Sequence, residues 1–255
     1  MPRDRAAYRN VRFYNASTGA VVGGFFQNGS ITEENLIWIL SDVLLIVEER
    51  HPWTIRHRVS ERVITPSSNP VLGDYDTYST GSIQVTNEAW FVRLTSHSVS
   101  GGKDKFRDGV RARDGNCVIS GQVNPGPQWD DWAGFEAVHV FPLEKESLWI
   151  EFNYGRWIAN MDDAVGVSKI HSIQNGLLMT GHLHTLFDQY LFSVNPDDGY
   201  KIVEVGPVSW GIDRGVLDPV CRDPTTNSHV SDELLRWHFR QSVLANMRGA
   251  GEPIF

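Results

Sequence analysis

His139, Asn175, His184 and Asp188 are the residues of this 255-residue chain whose types and spacing could do chemistry. His184 and Asp188 stand four apart in QNGLLMTGHLHTLFDQY, residues 174–190. If that stretch is helical, positions i and i+4 project from one face. An imidazole and a carboxylate placed in that way can hold a divalent ion: Zn, Mn or, with waters, Mg. His139, on the strand-like run FEAVHVFPL, could take a proton from water, and the Asn175 amide could orient that imidazole. Together these groups could hydrolyse a phosphodiester, with the base forming the nucleophile and the ion stabilising the developing charge.

Each residue also has a plainer reading. Asn175 precedes Gly176, so turn chemistry accounts for it equally well. His184 with Asp188 could be a hydrogen bond on a helix surface. His182 reads as a neighbour of the helix cap, and His171 and His238 have no partner pattern and read as structural. Arg236 and Arg240 form a basic helix face, solvated or paired with acids.

These residues need elements to position them. VRFYNASTGAVVGGFFQNG predicts two short strands joined through Ser-Thr-Gly. SITEENLIWILSDVLLIVEER predicts a helix capped by Ser30 or Thr32, with Glu33 and Glu34 at its positive end. TPSSNPVLGDYDTYSTGS is rich in turn residues, and SIQVTNEAWFVRLTS returns to strand character. SGGKD (100–104) reads as a boundary. KFRDGVRARDGNCVISG then gives a short helix and a hairpin strand, with Phe106 and Val110 on one helix face. That helix carries the best basic patch, Lys103, Lys105, Arg107, Arg111 and Arg113, interleaved with Asp104, Asp108 and Asp114. Lys105, Arg107 and Arg111 are the candidates for contact with nucleic acid, and a solvated helix face is the plain alternative.

FEAVHVFPL predicts a strand ending at Pro142, and LWIEFNYGRWI an aromatic, mostly helical segment. LFSVNPDDGYKIVEV predicts a hairpin turning at NPDDG. SDELLRWHFRQSVLANMRGAG predicts a closing helix capped by Ser231. The expected organisation is an α+β region over 1–100, a second over 101–215 that carries the site, and a C-terminal helical segment over 216–255 packed on the core.

Composition sets limits. A hydrophobic content of 41% is that of a globular protein. With two cysteines, neither a disulfide framework nor a four-cysteine zinc site is possible. Residues 36–47 are the most apolar run, too short for a bilayer and interrupted by Asp42. The N-terminus is charged and does not read as a secretory signal. The expectation is an intracellular protein, cytoplasmic or nuclear, not secreted and without a membrane partner. Net charge is −8. Residues 1–100 hold 9 basic against 10 acidic residues, and the remainder 14 against 21. A duplex-binding protein usually shows a basic face, so this balance argues against tight non-specific DNA binding.

CVISG, EAVHVFP, SIQNGLLM and HLHTLFDQY resemble the blocks of HNH endonuclease domains, specifically HNH-containing proteins common in filamentous fungi. VRFYNASTGAVVGGFFQNGSIT, NPDDGYKI and DPVCRDP with the C-terminal helix resemble the same group, so the likeness runs along nearly the whole chain. The resemblance implies a ββα-metal (HNH) finger, a hairpin followed by a helix with one metal between them, embedded in a larger α+β domain. It implies that His139 is the general base, that Asn175 orients it, and that His184 is the helix metal ligand with Asp188 as the second. The position before the base usually supplies a further ligand. Here it is Val138, with Glu136 and His182 as possible replacements.

Two functions follow from different classes. One is a metal-dependent endonuclease acting on DNA with Mg, Mn or Zn. The other is a recruited HNH-scaffold enzyme of secondary metabolism without nuclease activity. It would need no metal and would cyclise a terpenoid or polyketide, by a Diels–Alder-type ring closure, in an apolar pocket. A catalytically dead binding module is the third possibility.

Overall fold

The computed structural model of the chain describes residues 5–48, 51–93, 103–160 and 168–249. Residues 100–102 of the expected boundary, the end of the expected strand beyond residue 93 and the C-terminal residues from 250 onward lie outside these.

Strands β1 (Val11–Asn15) and β2 (Val21–Phe25) pair antiparallel. The turn between them is set by Asn15, whose Oδ1 accepts from the Ser17 amide at 3.0 Å. Helix α1 (Glu33–Trp38) is capped by Thr32 rather than Ser30. Thr32 Oγ1 accepts from Asn35 N at 3.3 Å, and Asn35 Oδ1 accepts from Thr32 N at 3.1 Å. The helix continues as a π-helical stretch, Ile39–Leu44. It stops sooner than its apolar run suggests. Leu45 turns extended, and β3 (Leu45–Val47) buries Leu45 while exposing Ile46.

Strands β4 (Trp53–His57), β5 (Tyr75–Ser79) and β6 (Ile83–Val85) follow. β6 pairs with β3. The main sheet runs β2-β1-β5-β4, with β1 and β5 parallel. β5 lies inside the segment that reads as turns. Its Gly, Asp and Ser neighbours hide a short strand whose Tyr75 and Thr77 point into the core.

Helix α2 (Lys103–Asp114) follows as expected, but CVISG forms no strand. It closes as a turn, Gly121 N donating to Cys117 O at 2.9 Å, and Val118 N bonds Leu178 O at 3.0 Å. β7 (Phe135–His139) is the expected strand. LWIEFNYGRWI breaks into α3 (Glu146–Glu151) and a 3-10 turn, Tyr154–Trp157, because Asn153 between them takes a left-handed φ of 52°. Then come β8 (Gly176–Thr180), α4 (Gly181–Asp188), the hairpin β9 (Phe192–Asn195) and β10 (Lys201–Glu204), and α5 (Asp232–Met247). Ser231 sits at the N-cap of α5, but its hydroxyl makes no capping bond.

These helices and small sheets make an α+β fold with two apolar clusters. One is built around β7, β8, α2 and α4, and the other around the four-stranded sheet and α1. α5 serves both. Leu234, Leu235 and Trp237 enter the first, and Phe239, Val243, Leu244 and Met247 the second. No helix among the described residues is long and apolar enough to cross a membrane.

Candidate functional site

β7 and β8 pair antiparallel, Phe135 opposite Thr180 and His139 opposite Gly176, and α4 begins directly after β8. Side chains alternate along a strand. Glu136 and Val138 therefore leave β7 toward α4, where Glu136 meets His184. His139 leaves on the other face, toward α2, where its ring stacks on Phe106 with centroids 3.8 Å apart and planes 9° apart. His171 meets that ring edge-on at 5.5 Å. Glycine is required opposite His139: a Cβ on Gly176 would stand 2.5 Å from Val110 Cγ2 and 2.6 Å from Phe106 Cε2. The Asn175-Gly176 pair is accordingly no tight hairpin turn. Gly176 is extended, with φ −135°.

On the α4 face, His184 lies between two carboxylates. Its Nδ1 contacts Glu136, and its Nε2 lies 3.1 Å from Asp188 Oδ2. Burial alone would lower the His184 pKa. The hydrogen bonds and charges of Asp188 and then Glu136 outweigh that, and the net shift is upward. Asp188 has a second partner, Arg93, whose guanidinium is in ion-pair contact with Oδ1 at 2.8 Å, with side chains 3% and 6% exposed. The same guanidinium donates to Val140 O at 2.9 Å and His139 O at 2.6 Å. Arg93 thus joins the backbone of the base candidate to the carboxylate of the helix.

Asn175 is fully buried. Its Oδ1 accepts from Phe141 N at 2.8 Å, and its Nδ2 donates to Phe141 O at 3.2 Å and Ile170 O at 2.9 Å. These bonds fix the chain two residues beyond His139, so the amide acts on the strand carrying the imidazole. His182 turns to Trp210, rings 4.7 Å apart.

The resemblance to HNH domains implies a divalent ion. Among the described residues no group of three or more His, Cys, Asp or Glu is arranged to hold a metal. What stands here is a pair, His184 Nε2 and Asp188 Oδ2, at a separation that two donors on one ion can keep. Glu136 contacts the other ring nitrogen and is placed to orient the imidazole, not to ligate beside it. Val138, 1% exposed, is apolar on the same strand face. The residues fit an ion as a two-donor site completed by water or substrate oxygens.

The basic candidates on α2 are largely occupied. Arg107 pairs with Asp104 and Asp108, each at 2.9 Å. Arg111 lies over the Trp132 ring at 4.8 Å, and burial, with the nearby charge of Arg107, lowers its pKa. Lys105 is exposed. On α5, Arg236 pairs with Asp197 and Glu233, and Arg240 with Glu88. His238 is buried against Ser193 Oγ at 2.7 Å.

Residues 117–195, which contain β7, β8 and α4, match the family model of HNH endonucleases. The chain contains an HNH domain. HNH endonuclease domains in general act on nucleic acid. Residues 8–84 match a domain of unknown function (DUF8573). No curated protein and no solved structure matches the chain. Arg93 and Phe106 lie outside both matched stretches, although both touch the HNH strand. No motif in the sequence marks either role. The Phe106–Val110 face was a visible signal that α2 packs inward, whereas nothing near Arg93 in sequence marks its partner.

Proposed function

We propose that the HNH domain hydrolyses phosphodiester bonds in DNA with the help of a divalent ion. The observation that carries this reading is the His184–Asp188 pair, an imidazole nitrogen and a carboxylate oxygen 3.1 Å apart with a second carboxylate behind the ring. His184 and Asp188 would hold the ion, which when bound would stabilise charge developing on the phosphate. His139 is assigned the proton of the attacking water; it stands on the α2 face of β7, opposite the His184–Asp188 pair, with its plane fixed by Phe106, so the phosphodiester would have to span the end of the strand. Asn175 holds the strand end that carries His139. Lys105, Arg107 and Arg111 meet the DNA backbone, modestly, because Arg107 is already paired and Arg111 stacked. With two protein donors, ion affinity is low.

The test is supercoiled plasmid incubated with Mg, Mn or Zn. Wild type nicks it, EDTA stops the reaction, and His139→Ala and His184→Ala each abolish it. Cleavage that survives in both variants would refute the assignment.

A second reading, the metal-free cyclase of a terpenoid or polyketide, is favoured by one observation. Arg93 already neutralises Asp188, on a face where Val138 offers no donor. That reading requires the absence of cleavage with every ion.

A further inference from the structure

A concave region lies away from the His184–Asp188 pair. It is a cleft of about 630 Å³ bounded by α5, α3, the Tyr154–Trp157 turn and the segment around Glu88–Phe91. Small-molecule sites typically span ~300–1,000 Å³ and are mostly apolar with a few polar groups. The walls here are flat aromatic faces. Tyr154 and Trp157 are stacked with centroids 4.5 Å apart and planes 17° apart, and Phe91 stacks on Trp237 at 6.0 Å and 21°. Phe152, 47% exposed, extends the Tyr154 stack outward. Trp237 is a buried core residue and Phe91, Tyr154 and Trp157 are half-buried, so the cleft is floored by the core and opens to solvent beside Phe152.

Charge decides the class of ligand. Two arginines and two glutamates line the cleft, and both arginines are paired: Arg240 Nε donates to Glu88 Oε1 at 2.9 Å, and Arg236 binds Asp197 and Glu233. A phosphate entering would meet neutralised cations and acidic neighbours, so a nucleotide is disfavoured. A neutral molecule would bury its faces against the rings and reach the paired rim with a hydrogen-bonding group. The floor of the cleft adjoins the segment just after β7, since Phe141 packs on Trp237 at 4.6 Å and on Tyr154 at 5.3 Å.

We infer that this cleft binds an uncharged, planar aromatic or fused-ring small molecule, laid against the Tyr154–Trp157 and Phe91–Trp237 faces, which meet where Tyr154 and Trp237 hydrogen-bond. The site uses none of His139, His184 and Asp188, so it stands whether or not the HNH domain cleaves DNA.

The test is a fluorescence titration of the full chain with Nile red, a neutral planar aromatic probe. Trp157→Ala removes a wall. Ala89→Trp fills the cleft from an exposed position, so it is expected to leave the fold intact, as near-ultraviolet circular dichroism will check. Trp129→Ala, an exposed tryptophan elsewhere, is the control. The expected result is saturable binding at one site, weakened at least tenfold by Ala89→Trp and by Trp157→Ala and unchanged by Trp129→Ala. Should Trp157→Ala fail to fold, Ala89→Trp decides. Non-saturable binding, binding unaltered by Ala89→Trp, or displacement of the probe by thymidine monophosphate would overturn the inference.

Discussion

Arg93 lies 2.8 Å from Asp188 with both side chains nearly sealed from water, and the same guanidinium holds the carbonyls of His139 and Val140. A segment outside both family matches thereby reaches the centre of the HNH domain. Removing one member of a buried pair leaves the other charge uncompensated, at a cost of about 3–5 kcal/mol. Arg93→Met is expected to lower unfolding free energy in urea by about that amount. Arg93→Met with Asp188→Asn should cost clearly less than the sum of the two single changes. Strict additivity would mean that the two residues do not interact.

Gly176 faces Phe106 and Val110 with no space for a methyl group. Gly176→Ala should push α2 away from the strand pair and destabilise the chain by about 1–3 kcal/mol. Because Phe106 also stacks on His139, the His139 ring resonances should shift in the same variant. Unchanged stability and unchanged resonances would contradict the packing described.

Asn175 satisfies both backbone groups of Phe141 and the carbonyl of Ile170 from a fully buried position. Asn175→Ala strands those groups, each at about 1–3 kcal/mol before relaxation. Loss of stability should appear together with faster amide exchange at Phe141. A role confined to orienting an imidazole would leave that exchange rate unaltered.

Burial, reinforced by the charge of Arg93, holds the His238 pKa well below its ordinary value. The unfolded chain takes up a proton there below pH ~6.5, which the folded chain resists. Neutral His238 therefore supports folding above that pH, and the support is lost as pH falls. His184, whose pKa is raised, acts with the opposite sign and at higher pH. Urea titrations should show stability falling below pH ~6.5 with a contribution of up to ~1.4 kcal/mol per pH unit from this one proton. His238→Gln should flatten that slope, and an unchanged slope would exclude His238 as its source.

Much of the HNH domain was legible because its signals are local. The His184–Asp188 spacing, the FEAVH strand and the NPDDG turn each declare themselves within a few residues. β5 was hidden by turn-forming neighbours, and β3 by an apolar run that suits a helix equally well. The CVISG segment has strand-like residues, yet its backbone is taken by a turn and by isolated bonds of Val118, its N to Leu178 O and its O from Asp218 N. The contacts that complete the site come from far along the chain. Arg93 and Phe106 have no motif of their own, and their significance appears only when packing brings them to β7.

The measurement that tests the central claim most directly is a titration of the protein with Mn²⁺ followed by electron paramagnetic resonance, with Asp188→Asn and His184→Ala alongside. The His184–Asp188 pair as an ion site predicts one bound Mn²⁺ in wild type, weakly held and lost in both variants. Identical binding in all three proteins, or none in folded wild type, would contradict it.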